Sequence, residues 1–583
     1  MISSRHRVAW VVAAAVFGVF LPSLANDYVS WDDNLYIYEN PHVRSLDLRF
    51  LRWALTDVRI DYWQPVSWLS HAIDYALWGP SPVGSHLGSI LLHALNTLLV
   101  VLLAATLVRQ ALSRAAIPGG RAPLVHDHEI LIAGAAAGLF FGLHPLRVEA
   151  VAWAAERKDI LCAFFFLLSI RAYVSYRNGS RPQYAWSLVF FLLALASKPM
   201  AVSLPLVLLL LDWYPLNVHT TSAAIRRSVL EKLPFVVLSL IIAVATLVQQ
   251  RSIGAMRSLL EIPLADRVLL AVRAIGYYLS KTLYPAGLVP FYPIPRDVSL
   301  LSVEFGIPLL AAAAITLVCL WQVKRSRAPA ALWSYFLIAL APTLALLPAG
   351  DISMADRYTY LPAIGPSLLV GLSATLAWRW SRARADRGAL PRVFLLASGA
   401  AVVAFLSFLT IQQIGVWKNS LTFWNYIIEK KPNQIPIAYN QRGIVYAEQG
   451  DREKAFMDFT TAISLSPRAW SSYQNRGVLF LEMGRYGDAL SDFDAALALF
   501  PGSQSVLDNR GVTYARLGRA ERALQDLNRA IEIDPEFIRA YLDRGELLEG
   551  MGRRAQAVED FRKACDLGSE AACGLLAIQN RAK

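Results

Sequence analysis

The sequence is short of charge. Asp, Glu, Lys and Arg make up 17% of its 583 residues, against about a quarter in a soluble domain. With a mean hydropathy of +0.40, that excludes a wholly soluble globular chain. Cysteine is scarce too: there are four, with no CxxC and no Cys/His spacing that would hold zinc. Cys162 and Cys319 lie in apolar segments. Cys565 and Cys573 stand eight apart. They would pair if that end met an oxidising compartment; the plainer reading is two small positions on helices. The net charge of +12 gives no basic soluble face for nucleic acid. Its arginines and lysines crowd short loops between apolar runs, as at Arg181, Lys324-Arg325-Ser326-Arg327 and Arg379 to Arg387. This is the positive-inside bias of a membrane protein.

What the chain does have is long apolar runs, confined to residues 1–413. Residues 437–583 have ordinary composition, rich in Asp, Glu and Arg. The expectation is a membrane domain at 1–413, a connector at 414–436 and a soluble domain at 437–583. Arg5, His6 and Arg7 precede the first run, which extends from about Val8 to Leu24 and lacks a good small-residue cleavage site, so it reads as an uncleaved span. Further spans are expected near 86–108, 129–145, 159–177, 184–196, 199–213, 231–249, 304–322, 329–348, 359–379 and 393–413. Lys198-Pro199 interrupts one of these stretches. Loops 109–128, 171–183, 214–230, 323–328 and 380–392 carry Arg or Lys and are expected to be cytoplasmic. Residues 267–284 carry Arg267, Arg273 and Lys281 and read as an interfacial helix. The parity gives about eleven crossings, with the N-terminus cytoplasmic and the soluble domain on the other side.

The first external loop, 25–85, is aromatic and opens on Trp31-Asp32-Asp33. Its tryptophans and tyrosines read as an interfacial belt, or in part as platforms for a sugar ring. Adjacent carboxylates raise each other's proton affinity, which suits a base; an N-cap of a loop helix is the structural alternative.

The soluble domain repeats every 34 residues. Gly443, Gly477, Gly511 and Gly545 align, each after an arginine. Gly450, Gly484, Gly518 and Gly552 follow, then Ala455, Ala489, Ala523 and Ala557, then Phe459, Phe493, Leu527 and Phe561. Pro467, Pro501 and Pro535 close the first three units. This resembles the tetratricopeptide repeat (TPR). Four units and a final helix near 570–580 predict an α-solenoid whose concave face takes a peptide or protein.

In the membrane part, Trp31-Asp32-Asp33, Trp63-Gln64-Pro65, Leu143-His144-Pro145, Glu149, Glu156-Arg157-Lys158-Asp159, Ser197-Lys198-Pro199 and Asp356-Arg357-Tyr358-Thr359-Tyr360 occur in that order. With the repeats behind them they resemble the TMTC family (transmembrane and TPR-containing protein O-mannosyltransferases) of the GT-C superfamily, in a bacterial relative. Where the animal members are expected to have Arg-Pro, this chain has Gln64-Pro65. The resemblance implies an all-α, GT-C-type bundle followed by the TPR solenoid. It also implies a transferase that passes a hexose, as in mannose transfer, from a polyprenyl-phosphate carrier to Ser or Thr of exported proteins. By the same resemblance Asp32 is the base and Asp33 orients the acceptor or holds Asp32.

The leaving lipid phosphate needs cations. Arg157, Lys158, Lys198 and Arg357 border spans on the external side, with ordinary snorkelling to headgroups as the alternative. Lys198, inside an apolar stretch, would be costly there without a partner. His144 is a candidate sugar or phosphate contact, or an interfacial histidine. Glu149 is a candidate sugar ligand, or a partner of Arg147. Tyr358 and Tyr360 are placed in the same cleft. His86 and His93, seven apart on one helix face, read as bundle packing, and neither a metal nor a cofactor is expected. The expected location is the bacterial inner membrane with the TPR domain periplasmic, or the ER membrane with it luminal. Two other readings stand beside this one: a GT-C transferase with a glycan or lipid acceptor, and a membrane-anchored TPR scaffold without catalysis.

Overall fold

The computed structural model describes residues 4–57, 62–113, 125–252, 256, 258, 261–295, 297–344, 346, 352–384 and 389–581. Parts of the basic loops expected at 109–128 and 380–392, residues 114–124 and 385–388, lie outside them. The chain divides into two compact units, Met1–Phe423 and Trp424–Lys583.

The first unit holds α1 (Ser4–Phe20), α2 (Leu48–Thr56), α3 (Pro65–Trp78), α4 (Pro82–Ser113), α5 (Asp127–Leu143), α6 (Val148–Ala152), α7 (Arg157–Arg177), α8 (Gln183–Leu195) and α9 (Leu204–Trp213). It continues with α10 (Ser222–Leu230), α11 (Leu233–Ser252), α12 (Leu264–Leu283), α13 (Val303–Gln322), α14 (Ala328–Leu340), α15 (Ile364–Ala383) and α16 (Leu390–Val416). The sheet among the described residues is one short antiparallel pair, β1 (Tyr292–Pro293) and β2 (Ile352–Met354), with Tyr292 opposite Met354.

A helix stands at each of the eleven expected spans, but not all are long and apolar enough to cross a membrane; α15, at 20 residues, has the length but not the composition. Among the described residues six stretches are long and apolar enough to cross a membrane: Ser4–Ala25, Pro82–Ser113, Ala154–Arg177, Leu233–Ser252, Val303–Gln322 and Leu390–Val416. A seventh follows if α5 and the bent segment Pro145–Ala152 count as one span. Gln183–Leu195, Pro199–Trp213 and Ala328–Thr343 are apolar but shorter, below the roughly 20 residues a bilayer core requires. The residues expected at the interface form α12. It buries Arg267, Leu270, Ala271, Ala274 and Tyr278 on one face and exposes Leu264, Val268 and Leu283.

α5 sits at the centre because its small residues let backbones approach. A Cβ on Gly142 would come within 2.5 Å of Val16 and 2.7 Å of Thr97, and one on Gly134 within 2.9 Å of the Val101 carbonyl. With Gly138 between them, packed on Val101, this four-residue glycine spacing is a close-packing face of the kind membrane helices use. On the outside of the bundle α11, α13 and α16 expose rows of Leu, Val and Phe, such as Leu240, Val244, Leu310, Leu317, Phe394 and Phe405.

Two breaks position the candidate site. Proline cannot continue a helix and keeps the residue before it extended. His144-Pro145 therefore ends α5, and the chain makes a 59° bend through short turns before α7 starts at Arg157. Lys198-Pro199 likewise ends α8, with Lys198 extended. Irregular backbone at membrane depth survives only where protein or a polar cavity satisfies it. At the far end of α7, Asp212 ties α9 to its neighbours. It accepts hydrogen bonds from Tyr173 Oη (2.7 Å), Arg177 Nε (2.8 Å) and Ser228 Oγ (2.6 Å) and pairs with Lys232.

In the second unit α18 (Pro436–Glu448) to α25 (Arg554–Asp566) form four helical hairpins, followed by α26 (Glu570–Arg581). α17 (Ser420–Lys430) carries the chain across the unit boundary. Gly450, Gly484, Gly518 and Gly552 turn each hairpin with φ between +71° and +80°, a left-handed conformation that favours glycine. Arg442, Arg476, Arg510 and Arg544 each make a bidentate pair with the aspartate sixteen residues on: Asp458, Asp492, Asp526 and Asp560. Cys565 and Cys573 form a disulfide, so the reading of two unlinked helix positions is corrected. The turn at Gly568 (φ +106°) brings the start of α26 back beside the end of α25.

Candidate active site

The two aspartates of the first loop have different environments. Asp33 is buried. Its Oδ2 accepts from the Val29 N–H and its Oδ1 from the Ala155 N–H, each at 2.8 Å. It therefore clips the first loop to the turn ahead of α7. Asp33 precedes the π-turn Asn34–Tyr38 without capping it, so the N-cap alternative does not describe its side chain. Burial pushes the Asp33 carboxyl up to about 7, against the pull of the two N–H groups and with a further push from Asp32. Asp32 is only half-buried.

The loop aromatics mostly pack. Tyr36, Trp53 and Trp68 are buried, with the Trp68 ring 4.9 Å from Tyr36 and 5.0 Å from Trp53. Trp31 meets Trp153, Phe291 and Phe423 at 5.4–5.5 Å.

Behind Asp33 lies a buried ion cluster. Glu156 is its hub: Lys198 Nζ lies 3.0 Å away, Arg357 Nε 3.3 Å and Lys158 Nζ 3.4 Å. Lys198 also reaches Asp159 at 2.7 Å. Glu149 pairs with the Arg357 guanidinium and accepts from the Arg357 backbone N–H at 3.0 Å. Lys158 donates to Tyr36 Oη (3.1 Å). The Arg357 guanidinium stacks near Trp153 (5.2 Å) and the half-buried Tyr358 (5.0 Å). Three carboxylates, Glu149, Glu156 and Asp159, thus face three cations, Lys158, Lys198 and Arg357. Buried charge persists only in such pairing, and the three segments that meet here are the bend before α7, the break after α8 and the turn before α15.

Of the expected phosphate cations, Lys158, Lys198 and Arg357 come together; Arg157 does not join them. It pairs with Asp74 of α3 and donates to Ser89 Oγ (3.3 Å) and the Ser70 carbonyl (3.4 Å). The suggested Glu149–Arg147 pair is corrected, since Glu149 belongs to Arg357. Arg147 instead donates to Thr359 Oγ1 (2.8 Å) and lies over the Tyr360 ring. His144 uses both nitrogens on backbone: Nδ1 accepts from the Leu146 N–H (3.3 Å) and Nε2 donates to the Thr282 carbonyl (3.2 Å). Tyr360 faces the bundle rather than the cleft, with its hydroxyl bonded to His93 Nδ1 (2.6 Å) and Asn96 Nδ2 (3.1 Å). Among the described residues no cluster of three His, Cys, Asp or Glu side chains has the arrangement of a metal site.

Several participants are missed by sequence reasoning. Glu156 and Asp159 are quoted for their motif but given no role. Asp74 is the one acid on α3, a helix without lysine or arginine, which itself signals a partner from elsewhere. Asp356 accepts from Tyr277 Oη (3.0 Å) and Tyr292 Oη (3.2 Å). Burial and the Glu149 charge push it up to about 8 against the pull of the two tyrosines.

The tetratricopeptide repeat family profile matches residues 440–504, 475–536 and 509–572. The second unit is a TPR array. Two solved structures are similar to it. MamA shares 24% identity over 26% of this chain and 89% of its own, TM-score 0.24. A thermophilic TPR protein of Thermus thermophilus shares 21% over 27% and 87%, TM-score 0.26.

Among curated proteins, the chain is similar to protein O-mannosyl-transferase Tmtc1 of Drosophila melanogaster, 33% identical over 136 residues, 23% of this chain and 13% of that protein. It is similar to human TMTC4, 35% over 134 residues, 22% and 17%, and to Drosophila Tmtc2, 30% over 167 residues, 27% and 16%. The matched stretch spans less than a fifth of each of these TMTC relatives.

Proposed function

We propose that the chain is an integral membrane glycosyltransferase of the GT-C type. It moves a hexose, mannose in our reading, from a polyprenyl-phosphate carrier to a Ser or Thr hydroxyl of an exported protein. The observation that carries this reading is the division of labour at the aspartate pair. Asp33 is locked on two backbone N–H groups, one of them from the residue before Glu156 of the charge cluster, and its neighbour Asp32 is half-buried. The likeness to proteins named protein O-mannosyl-transferases supports the same reading.

The reaction is an inverting displacement. The acceptor hydroxyl oxygen bonds to the anomeric carbon, the bond from that carbon to the phosphate oxygen breaks, and the hydroxyl proton passes to Asp32. The phosphate leaves as an anion on the lipid. Lys198 and Arg357, the least buried cations of the cluster, face that phosphate in this reading, with Tyr358 at its edge. Arg157 and Lys158 hold the frame, Glu149 aims Arg357, and His144 fixes the bend.

The concave TPR face presents the acceptor chain. The Cys565–Cys573 disulfide suits an oxidising compartment, which supports placing the array in the periplasm or ER lumen, opposite a cytoplasmic N-terminus.

The test is transfer by the purified protein in lipid nanodiscs, from polyprenyl-phosphate mannose to a Ser/Thr peptide. Asp32→Asn is expected to lower the rate by about 10²–10⁴, the range for a lost general base. Undiminished transfer by this variant removes Asp32 as the base. Label arriving only on a glycan or lipid moves the acceptor, and no transfer to any acceptor, with partner proteins lost on deleting 437–583, makes the chain a scaffold.

A further inference from the structure

α3 is amphipathic in the reverse of the usual sense. Its outer face is apolar: Leu69, Ile73, Leu77 and Trp78 are exposed. Its inner face carries polar residues beside Trp68 and Ala72, with Ser67, His71 and Asp74 turned inward and Gln64 at its N-terminal cap. A helix with lipid-like residues outside and polar residues inside encloses polar content.

Part of that content is accounted for. Asp74 pairs with Arg157, and Ser67 Oγ donates to the Ser197 carbonyl at 3.1 Å. Among the described residues nothing accounts for Gln64 and His71. Gln64 is wholly buried, and its Oε1 and Nε2 both lack a hydrogen-bond partner. His71 is 1% exposed, and Nδ1 and Nε2 both lack one. Buried polar atoms are nearly always satisfied, and an unmet one costs stability. Four unmet atoms on two buried side chains, one at the N-cap of α3 and one in its second turn, call for a ligand.

The neighbourhood says where that ligand lies. The start of α3 is joined to the break after α8, since the Val66 N–H donates to the Ala196 carbonyl at 3.1 Å, two residues from Lys198. His71 feels the positive charge of both Arg157 and Lys158, which with burial keeps it neutral. A neutral imidazole and a carboxamide each offer one acceptor and at least one donor, and neither carries charge. That pairing suits hydroxyl groups, which donate and accept at once, rather than phosphate, which only accepts and which the cations serve.

We propose that Gln64 and His71 form a sugar-hydroxyl subsite on the inner face of α3, reading the neutral polyol part of a carrier lipid whose phosphate lies at the Lys198 and Arg357 cluster. This rests on the donor reading given above and deepens it. Since both side chains are closed off, α3 must shift outward to admit the sugar, and its lipid-facing side makes such a shift a slide within the bilayer boundary.

The test measures binding by the full-length protein in nanodiscs of polyprenyl phosphate with and without a mannose. Wild type is expected to favour the mannose-bearing lipid by at least about tenfold, as a site built to hydrogen-bond hydroxyls discriminates strongly against their absence. In Gln64→Met and in His71→Phe that preference is expected to shrink to near unity, with affinity for the bare lipid phosphate unchanged. Both variants should melt no lower than wild type, because an unmet buried polar group has been removed. Should His71→Phe fail to fold, Gln64→Met alone decides.

A mannose preference that survives in the folded variants assigns the two side chains to ordered water and overturns the subsite. Equal binding of the two lipids by wild type overturns the subsite and leaves the phosphate donor standing. Binding of neither lipid overturns the donor reading, and the subsite with it.

Discussion

Glu149 holds Arg357 twice, once through the guanidinium and once through the backbone N–H, 3.0 Å from Oε2. One carboxylate thus fixes both the charge and the chain direction of the turn Asp356–Thr359. Removing one partner of a buried pair strands the other. Glu149→Ala is expected to cost about 3 kcal/mol, the low end for such a loss because Glu156 still faces Arg357. Glu149→Gln, which keeps an acceptor for the N–H, should cost less. Thermal unfolding in detergent, followed through the tryptophans, checks the order of the two.

Asp33 and Asp356 should each contribute a fall in the stability of the first unit as pH rises from about 4 to 8. The Asp33 carboxyl is pushed up to about 7 and that of Asp356 to about 8, both from 3.8. Between 3.8 and those values the folded state binds protons that the unfolded state has released. Their contribution to the slope of unfolding free energy against pH is therefore negative, and it flattens above the folded value. Asp356→Asn is expected to remove part of the fall up to about pH 8, and Asp33→Asn part of it up to about pH 7. Melting temperatures across the pH series give the slopes. Variants whose slopes match that of wild type over these windows contradict the assignment.

The repeats should not tolerate alanine equally. A Cβ on Gly477 meets the Phe493 ring at 2.7 Å, and one on Gly545 meets Phe561 at 2.6 Å. At Gly511 the neighbour is Leu527, at 3.0 Å. A buried phenylalanine ring has nowhere to turn, whereas leucine has other rotamers. Gly477→Ala is expected to cost about 1–3 kcal/mol, in the range for overpacking, and Gly511→Ala distinctly less. Hydrogen exchange of the two hairpins, read within the full chain, separates the cases.

The Arg–Asp pairs inside the repeats predict a second pattern. Asp492 accepts two hydrogen bonds from Arg476 at 2.8 Å, and both side chains are largely buried. Asp492→Ala should destabilise its hairpin by about 2–3 kcal/mol, as for a lost charged hydrogen-bond pair. Asp488→Ala, at an exposed pair with Arg485, should change little. Protease sensitivity of residues 470–500 distinguishes them.

Elements that announce themselves locally were legible. Apolar runs became helices, and the glycine, alanine and phenylalanine register became hairpins, because each depends on residues a few places apart. The Asp458, Asp492, Asp526 and Asp560 series shares that 34-residue register and was just as readable, though its arginine partners stand sixteen residues away. The ion cluster was not legible in the same way. Glu149, Glu156, Lys198 and Arg357 come from segments far apart in the chain, and partner choice among buried charges is decided by packing. Lys198 did signal that it needed a partner; nothing near it in sequence named Glu156 and Asp159. Likewise the spacing of Asp32 and Asp33 could not say which is clamped, since the clamp is the distant Ala155 N–H.

The match of three carboxylates to three cations has an electrical consequence. A site already at balance gains a net negative charge whenever an anion enters it, and a medium of low polarity resists that strongly. A phosphate-bearing ligand of this cluster is therefore expected to bind with a positive companion, and a proton taken up by one of the carboxylates is the smallest one available. Ligand and hydrogen ion would then bind as a pair, each raising the occupancy of the other, so that acidity of the surrounding medium becomes a second input to the same site.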